Sequence, residues 1–273
     1  MLASKVIWYK HMLSNSIKDI LSGAGRWRLW TALTWEDIKT TYRRSIVGVA
    51  WVSLSFATFV AVKILIFGSM FGGGSDKYYG AYLLIGFFAW QFMSQIVVTA
   101  TSVFTRSENW ITNDPLPLSV FVYQNVCRSL FDFALTGLIV LGGLAYLGFG
   151  WHHYSWLALP ALALYTLNAF WITMLLGLLC TRFRDFQHLT STTMRVLFFV
   201  TPIFWLPAQL GEQTMSILWW NPFSQFIWIL RTPILDQSFV PENWAYVGAI
   251  TAIGWVVTIL LYSLFRRRIV FWF

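Results

Sequence analysis

Few side chains in this sequence are placed for bond-making chemistry. Cys127 and Cys180 lie far apart and outside any CxxC spacing, so they read as small core residues, not redox groups or zinc ligands. His152 and His153 are adjacent, a poor geometry for sharing a metal, and His188 stands alone, so no metal site is expected. The sequence has no GxSxG elbow, no HExxH helix and no obvious pair of carboxylates within its apolar stretches. Gly72-Gly73-Gly74-Ser75-Asp76-Lys77 looks like a phosphate-binding loop but lacks its spacing and the helix pattern after it. A nucleotide-driven process would need another chain to bind the nucleotide.

The remaining candidates are charges and aromatic stripes inside apolar segments, where an ionisable group is a functional hypothesis by default. Lys63 sits late in an apolar run, from which its long side chain can reach the headgroups. Arg128 and Asp132 are spaced to share a helix face, either as a structural pair or as part of a polar conduit. Arg195 could face headgroups, a partner or a conduit mouth. Aromatic residues are the positive signal, with 17 Trp, 11 Tyr and 24 Phe. Interfacial belts account for many of them, including Trp8, Trp151, Trp156, Trp244 and Trp272. Two stripes are left: Trp51, Ser55, Phe59 and Val62 recur at helical spacing, as do Met194, Phe198, Thr201 and Trp205. Aromatic faces can carry the apolar sides of sugar rings while Ser and Thr meet the hydroxyls; helix packing or lipid contact is the competing account.

The elements that hold these stripes follow from composition. Hydrophobic residues make up 58% of the chain and charged ones 11%, against about 25% charged in a soluble domain. A bilayer core is crossed by about 20 apolar residues in a helix. That length predicts an all-α membrane protein with six spans, over Ser45 to Phe71, Gly80 to Thr105, Leu118 to Phe149, Tyr154 to Thr181, His188 to Leu206 and Trp244 to Phe265. Lys39, Arg43, Arg44, Arg182, Arg184 and the triplet Arg266, Arg267 and Arg268 then fall on one side, the cytoplasmic one by the positive-inside rule. Both termini are expected there, in one domain over 1–273: a cytoplasmic segment 1–44, a core 45–265 and a tail 266–273. The net charge of +8 is an orientation signal, and no nucleic acid partner is expected.

Two segments do not fit a plain span. Met1 to Ser22 lacks a signal-peptide core, while Arg26 to Tyr42 reads as an amphipathic helix on the inner surface, with Trp27, Trp30, Leu33, Thr34, Ile38 and Thr41 on one face. Between the fifth and sixth spans, Pro207, Gly211, Trp219, Trp220, Asn221, Pro222, Trp228 and Pro233 interrupt an apolar stretch too short to cross. That predicts a re-entrant or interfacial hairpin dipping into the outer leaflet.

The stretch from Tyr42 to Trp51 resembles the Tyr-Arg-x-Ser-x-x-Gly-x-x-Trp signature that opens the membrane subunit of polysaccharide-exporting type-2 ABC transporters, among them O-antigen, capsule and teichoic-acid permeases. Further matching pieces follow in order: Tyr82-Leu83-Leu84-Ile85-Gly86 with Trp90, Arg184-Asp185, Thr201-Pro202-Ile203, and Asn221-Pro222 followed by Arg231. The chain departs from the pattern at Ser53-Leu54-Ser55-Phe56, where relatives usually carry a proline, and in the inner loop from Asn109 to Pro117.

The resemblance implies a role for each piece. The segment with Trp27, Trp30, Arg43 and Arg44 is similar to the family's interface helix. Glu108, Asn109, Trp110, Ile111, Thr112, Asn113 and Asp114 are similar to the coupling helix that docks on the ATPase. Trp219, Trp220, Phe223 and Phe226 correspond to outer gate helices. The first and fifth spans correspond to the pore-lining pair, so Trp51, Ser55, Phe59, Met194, Phe198, Thr201 and Trp205 become conduit candidates. The expected molecule is a non-enzymatic, multi-pass permease of the bacterial inner membrane, a homodimer joined to two ABC ATPase chains that bind ATP and Mg. It would export a lipid-linked polysaccharide, O-antigen first among them. An exporter of drugs or small lipids, and a membrane-embedded glycosyl- or acyltransferase, are the alternative expectations.

Overall fold

A computed structural model describes residues 2–71, 77–206 and 212–273. The glycine run over 72–76 and, in the outer segment, Pro207 and Gly211 lie outside the described residues. Every regular element among the described residues is a helix. In chain order these are α1 (Leu2–Gly25), α2 (Trp27–Tyr42), α3 (Ala50–Phe71), α4 (Lys77–Ala100), α5 (Glu108–Asn113), α6 (Ser119–Leu147), α7 (Ala158–Arg182), α8 (Asp185–Val200), α9 (Glu212–Trp220), α10 (Pro222–Leu235) and α11 (Pro241–Phe265). Short 3₁₀ turns precede α5 and α7 and follow α11.

Among the described residues, α3, α4, α6, α7 and α11 are the five helices long and apolar enough to cross a membrane. The sequence predicts a sixth over His188 to Leu206, but α8 is a 16-residue helix that stops at Val200. The cause is local: Pro202 disfavours helical geometry in the residue before it, and Thr201 is extended, with ψ of 138°. The first predicted span also starts later than expected, at Ala50. Arg44 and Gly48 have φ of 72° and 61°, so the chain turns sharply over 43–49 before α3 begins. Ser45 Oγ accepts the Gly48 amide at 3.0 Å, which gives the Ser-x-x-Gly spacing of the signature a structural reason.

Burial separates helices of similar composition. α4 is the axis of the fold, buried on nearly every face from Tyr79 to Val97, and α3, α6, α7, α8 and α10 all lie against it. A helix apolar all round needs apolar surroundings on every side; α4 finds them within this chain and α3 does not. In the most apolar stretch of α4, 72% of residues are buried, against 11% in α3, so α3 meets its apolar surroundings outside this chain. Interior polar side chains join α7 to α11, where Asn168 Nδ2 donates to Thr251 Oγ1 at 2.7 Å and Trp171 Nε1 donates to Asn168 Oδ1 at 2.8 Å.

The N-terminal segment, for which the sequence shows only the lack of a signal-peptide core, is the 24-residue helix α1. Buried Asp19 fastens it. Its carboxylate accepts the Tyr262 hydroxyl at 2.7 Å and the Ser119 amide at 3.2 Å, and it pairs with Arg266 at 2.9 Å. One side chain of α1 therefore ties together the start of α6 and the end of α11.

Candidate functional site

A groove of about 690 Å³ runs along one side of α4, walled by α3 and α8. From α3 come Val52, Ser55, Phe56 and Phe59; from α4 come Phe87, Trp90, Gln91, Ser94, Gln95, Val98 and Thr99; from α8 comes Phe198. The rings meet edge to face: Phe59 and Phe87 centroids are 5.2 Å apart, and Trp90 and Phe198 centroids 5.7 Å. α4 also supplies the amides of Gln91 and Gln95 and the hydroxyls of Ser94 and Thr99. None of the described lining residues ionises. These residues can hydrogen-bond and stack on a neutral polyhydroxylated ligand, and none of them is an acid, base or charged nucleophile with which to break a bond.

Of the seven conduit candidates, the groove gathers Ser55, Phe59 and Phe198. Trp51 is exposed one turn before Ser55. Met194 is buried in the core, and Trp205 lies beyond the end of α8, donating to the Phe199 carbonyl at 3.1 Å. Thr201 is buried and accepts from Asn221 Nδ2 at 3.0 Å. The polar contribution of α4 was missed in the sequence, although Gln91, Ser94, Gln95 and Thr99 recur at helical spacing within an otherwise apolar run.

Beyond one end of the groove, four separately spaced motif pieces converge. Arg231, 2% exposed, donates from Nη1 to the Pro202 carbonyl at 2.9 Å and from Nη2 to the Ile203 carbonyl at 3.4 Å. Its guanidinium lies 3.5 Å from the centroid of Tyr82. The Tyr82 hydroxyl bonds the carbonyls of Pro202 and Trp205 at 3.2 and 3.0 Å, while the Tyr79 hydroxyl reaches that of Phe204. Gly86 is required by this crowding, since a Cβ there would collide with Arg231 Nη2 and stand 2.8 Å from the Ile203 oxygen. Asn221 caps α10 through the Phe223 amide at 3.0 Å while holding Thr201. In the non-helical stretch after α8 the carbonyls of Pro202, Ile203, Phe204 and Trp205 thus all have donors. Arg231, in the sequence only the last of the matching pieces, is a buried brace.

Toward the other end, Gln95 Nε2 donates to Asp132 Oδ2 at 2.9 Å, and Asp132 pairs with Arg128 at 3.5 Å. Asn125 Nδ2 donates to Thr99 Oγ1 at 3.1 Å, and Asn125 Oδ1 accepts from Arg106 Nη2 at 3.2 Å. The short helix α5 presents Glu108, Asn109, Trp110, Thr112 and Asn113 to the exterior and buries Ile111, and Asp114 is exposed just after it. On α2, Trp27 is exposed and Trp30 stacks on Tyr123 at 5.9 Å, while Arg43 and Arg44 are exposed in the following turn. Among the gate candidates, Trp219 and Trp220 are exposed, Phe223 touches Trp90 at 5.5 Å, and Phe226 packs in the core against Tyr165. Among the described residues no cluster of His, Cys, Asp and Glu could hold a metal ion.

Residues 28–235 match the model of a family described as ABC-2 type transporter. An O-antigen export system permease protein RfbA of Klebsiella pneumoniae is 23% identical over 241 residues, covering 88% of this chain and 91% of that protein. A second K. pneumoniae protein of that name is 22% identical over the same shares. One from Myxococcus xanthus is 25% identical over 192 residues, 70% of this chain and 73% of its own.

Proposed function

Because the chain belongs to the ABC-2 type transporter family, we propose that it is the permease subunit of an ATP-driven exporter that moves a lipid-linked polysaccharide, O-antigen in the first instance, out across the bacterial inner membrane. The observation that carries this reading is the groove along α4: walls that combine the rings of Phe59, Phe87, Trp90 and Phe198 with Gln91, Ser94, Gln95 and Thr99, none of which ionises, suit passage of a glycan. An embedded glycosyl- or acyltransferase would need an acid or a base beside its substrate to activate a hydroxyl, and none of the described lining residues ionises.

In this reading α8 and the bracketed stretch after it form a sixth crossing, and α9 with α10 forms the re-entrant hairpin of the outer leaflet, with Trp219, Trp220, Phe223 and Phe226 at the gate. Both termini are cytoplasmic, α2 lies on the inner surface, and two copies pair so that their grooves face one passage. ATP and Mg bind two partner ATPase chains. Closure of that pair acts on α5 and α2, and through them on the relation of α3 and α8 to α4, because ATP binds one of two states more tightly.

The test replaces Phe59 and Phe198 by Ala, singly and together, and measures glycan at the cell surface with recovery of the permease–ATPase complex. Loss of roughly 1.4 kcal/mol of passage-selective contact corresponds to tenfold, so the double variant should lower export at least that much with complex recovery unchanged. Export at the wild-type rate would remove the groove from the pathway. Trp110→Glu should do the reverse, abolishing recovery of the ATPase with the permease.

A further inference from the structure

Arg128 stands between two carboxylates that belong to different helices. Its Nε is 3.5 Å from Asp132 Oδ2, one turn along α6, and its Nη1 is 3.9 Å from Asp37 Oδ2 on α2. Neither separation is that of a closed charge-assisted hydrogen bond, which settles at about 2.7–2.9 Å. The buried Nη1 has no hydrogen-bond partner, and neither has Asp132 Oδ1. A guanidinium is a rigid planar fork, so closing it on one of these carboxylates draws it from the other. Space for that movement exists: a cleft of about 380 Å³ beside Arg128 is lined by Leu33 and Asp37 of α2, Arg106, Trp110 of α5, and Gln124.

The far side of the pair reaches the groove. Asp132 Oδ2, the oxygen shared with Arg128, also accepts from Gln95 Nε2 at 2.9 Å, and Gln95 lines the groove. Asp37, Arg128, Asp132 and Gln95 therefore form one line of contacts from the interface helix to the groove wall, with a half-closed ion pair at its centre.

We propose that Arg128 is a two-position switch, and that Asp37, Arg128 and Asp132 are positioning residues that convert a displacement of α2 into a change in how Gln95 is presented to the groove. The proposal rests on the reading of the groove as the glycan passage. When α2 moves toward α6, Arg128 closes on Asp37 and loosens from Asp132. The freed carboxylate then takes both of its bonds from other donors, and the Gln95 amide is drawn from the groove toward it. When α2 withdraws, Arg128 closes on Asp132, and Gln95 is released to hydrogen-bond a ligand. The coupling is reciprocal: a ligand held by Gln95 favours the withdrawn position of α2. Contiguity alone does not establish such coupling, and a two-state element biased from both ends does; Arg128 supplies that element.

The test is a double-mutant cycle on the full permease–ATPase complex, with surface glycan, complex recovery and basal ATP hydrolysis read in parallel. Asp37→Asn should lower export at least tenfold while recovery and basal hydrolysis change less than twofold. Arg128→Lys, which keeps the charge but not the fork, should restore less than a third of wild-type export. In a Gln95→Leu background, where the line is already cut, Asp37→Asn should lower export by less than a further twofold. Wild-type export by Asp37→Asn would overturn the switch. So would multiplication of the two single effects in the double variant, or export that falls only in step with complex recovery, which is the behaviour of a structural pair. If Phe59→Ala with Phe198→Ala also leaves export intact, the passage reading fails; if that variant is inactive and Asp37→Asn is normal, the switch alone fails.

Discussion

Arg231 illustrates how much a single side chain organises here. Its buried cation sits against the Tyr82 ring and bonds two carbonyls of the irregular stretch after α8, so removing it takes the guanidinium donor from the Ile203 carbonyl and leaves the Pro202 carbonyl to the Tyr82 hydroxyl alone. Replacing Arg231 by Met should cost about 3 kcal/mol, more than a surface change and near the cost of breaking a buried polar network. Gly86→Ala should do comparable damage by pushing the guanidinium away, whereas Asn221→Ala, which removes a helix cap, should cost about 1 kcal/mol. Thermal unfolding of the purified chain in detergent orders the three; an Arg231→Met protein as stable as wild type would show that the brace contributes nothing. The motif pieces holding these residues were legible in the sequence as separate matches. Their convergence was not, because periodicity reports the face of one helix, and this contact joins α4, α10 and the stretch after α8. Charge statistics place a cation near an aqueous boundary and give no sign of burial, but carbonyls and an aromatic face stabilise Arg231 in the interior of the chain.

At the scale of elements, length and hydropathy located α3, α4, α6, α7 and α11 to within a few residues at most ends, since bilayer thickness sets a strong requirement. They could not rank the helices by burial, and α3 and α4 have opposite fates despite similar composition. The start of α3 shifted because two left-handed residues, Arg44 and Gly48, end the approach from α2. α1 was the element least visible, because its docking depends on Asp19 meeting groups from the far end of the chain: Tyr262 and Arg266. That dependence predicts its behaviour. Asp19→Ala leaves Arg266 without its carboxylate and Tyr262 without an acceptor, so α1 should detach before the rest of the fold opens. Limited trypsin digestion should then cut at Lys18 at least tenfold faster than in the wild type, with the fragment from α2 onward intact. Unchanged cleavage would mean that α1 is held by its apolar contacts alone.

For the whole molecule, the groove is a wall in search of an opposite side. It is open along its length, and α3 exposes Trp51, Leu54, Phe59, Val62 and Leu65 on one broad face, a surface that needs either lipid or a second copy. The proposed pairing makes part of that face line a polar passage, whereas the exposed Leu138 and Leu141 of α6 would face hydrocarbon. The two environments differ in what a thiol can do there: a charged, water-soluble thiol reagent reacts with the thiolate, and neither species enters a bilayer core at useful concentration. With Cys127 and Cys180 replaced by Ser and Ala, Ser55→Cys should therefore be labelled at least tenfold faster than Leu141→Cys in membranes containing the ATPase partner. Addition of a non-hydrolysable ATP analogue should change the Ser55→Cys rate and leave the Leu141→Cys rate alone, since the nucleotide acts on the passage and not on the lipid-facing side of α6. Equal, slow labelling at both positions would place α3 in lipid and make the groove a packing feature of one chain; a fast, ATP-sensitive rate at Ser55→Cys requires water beside α3, which the walls of a single copy cannot enclose.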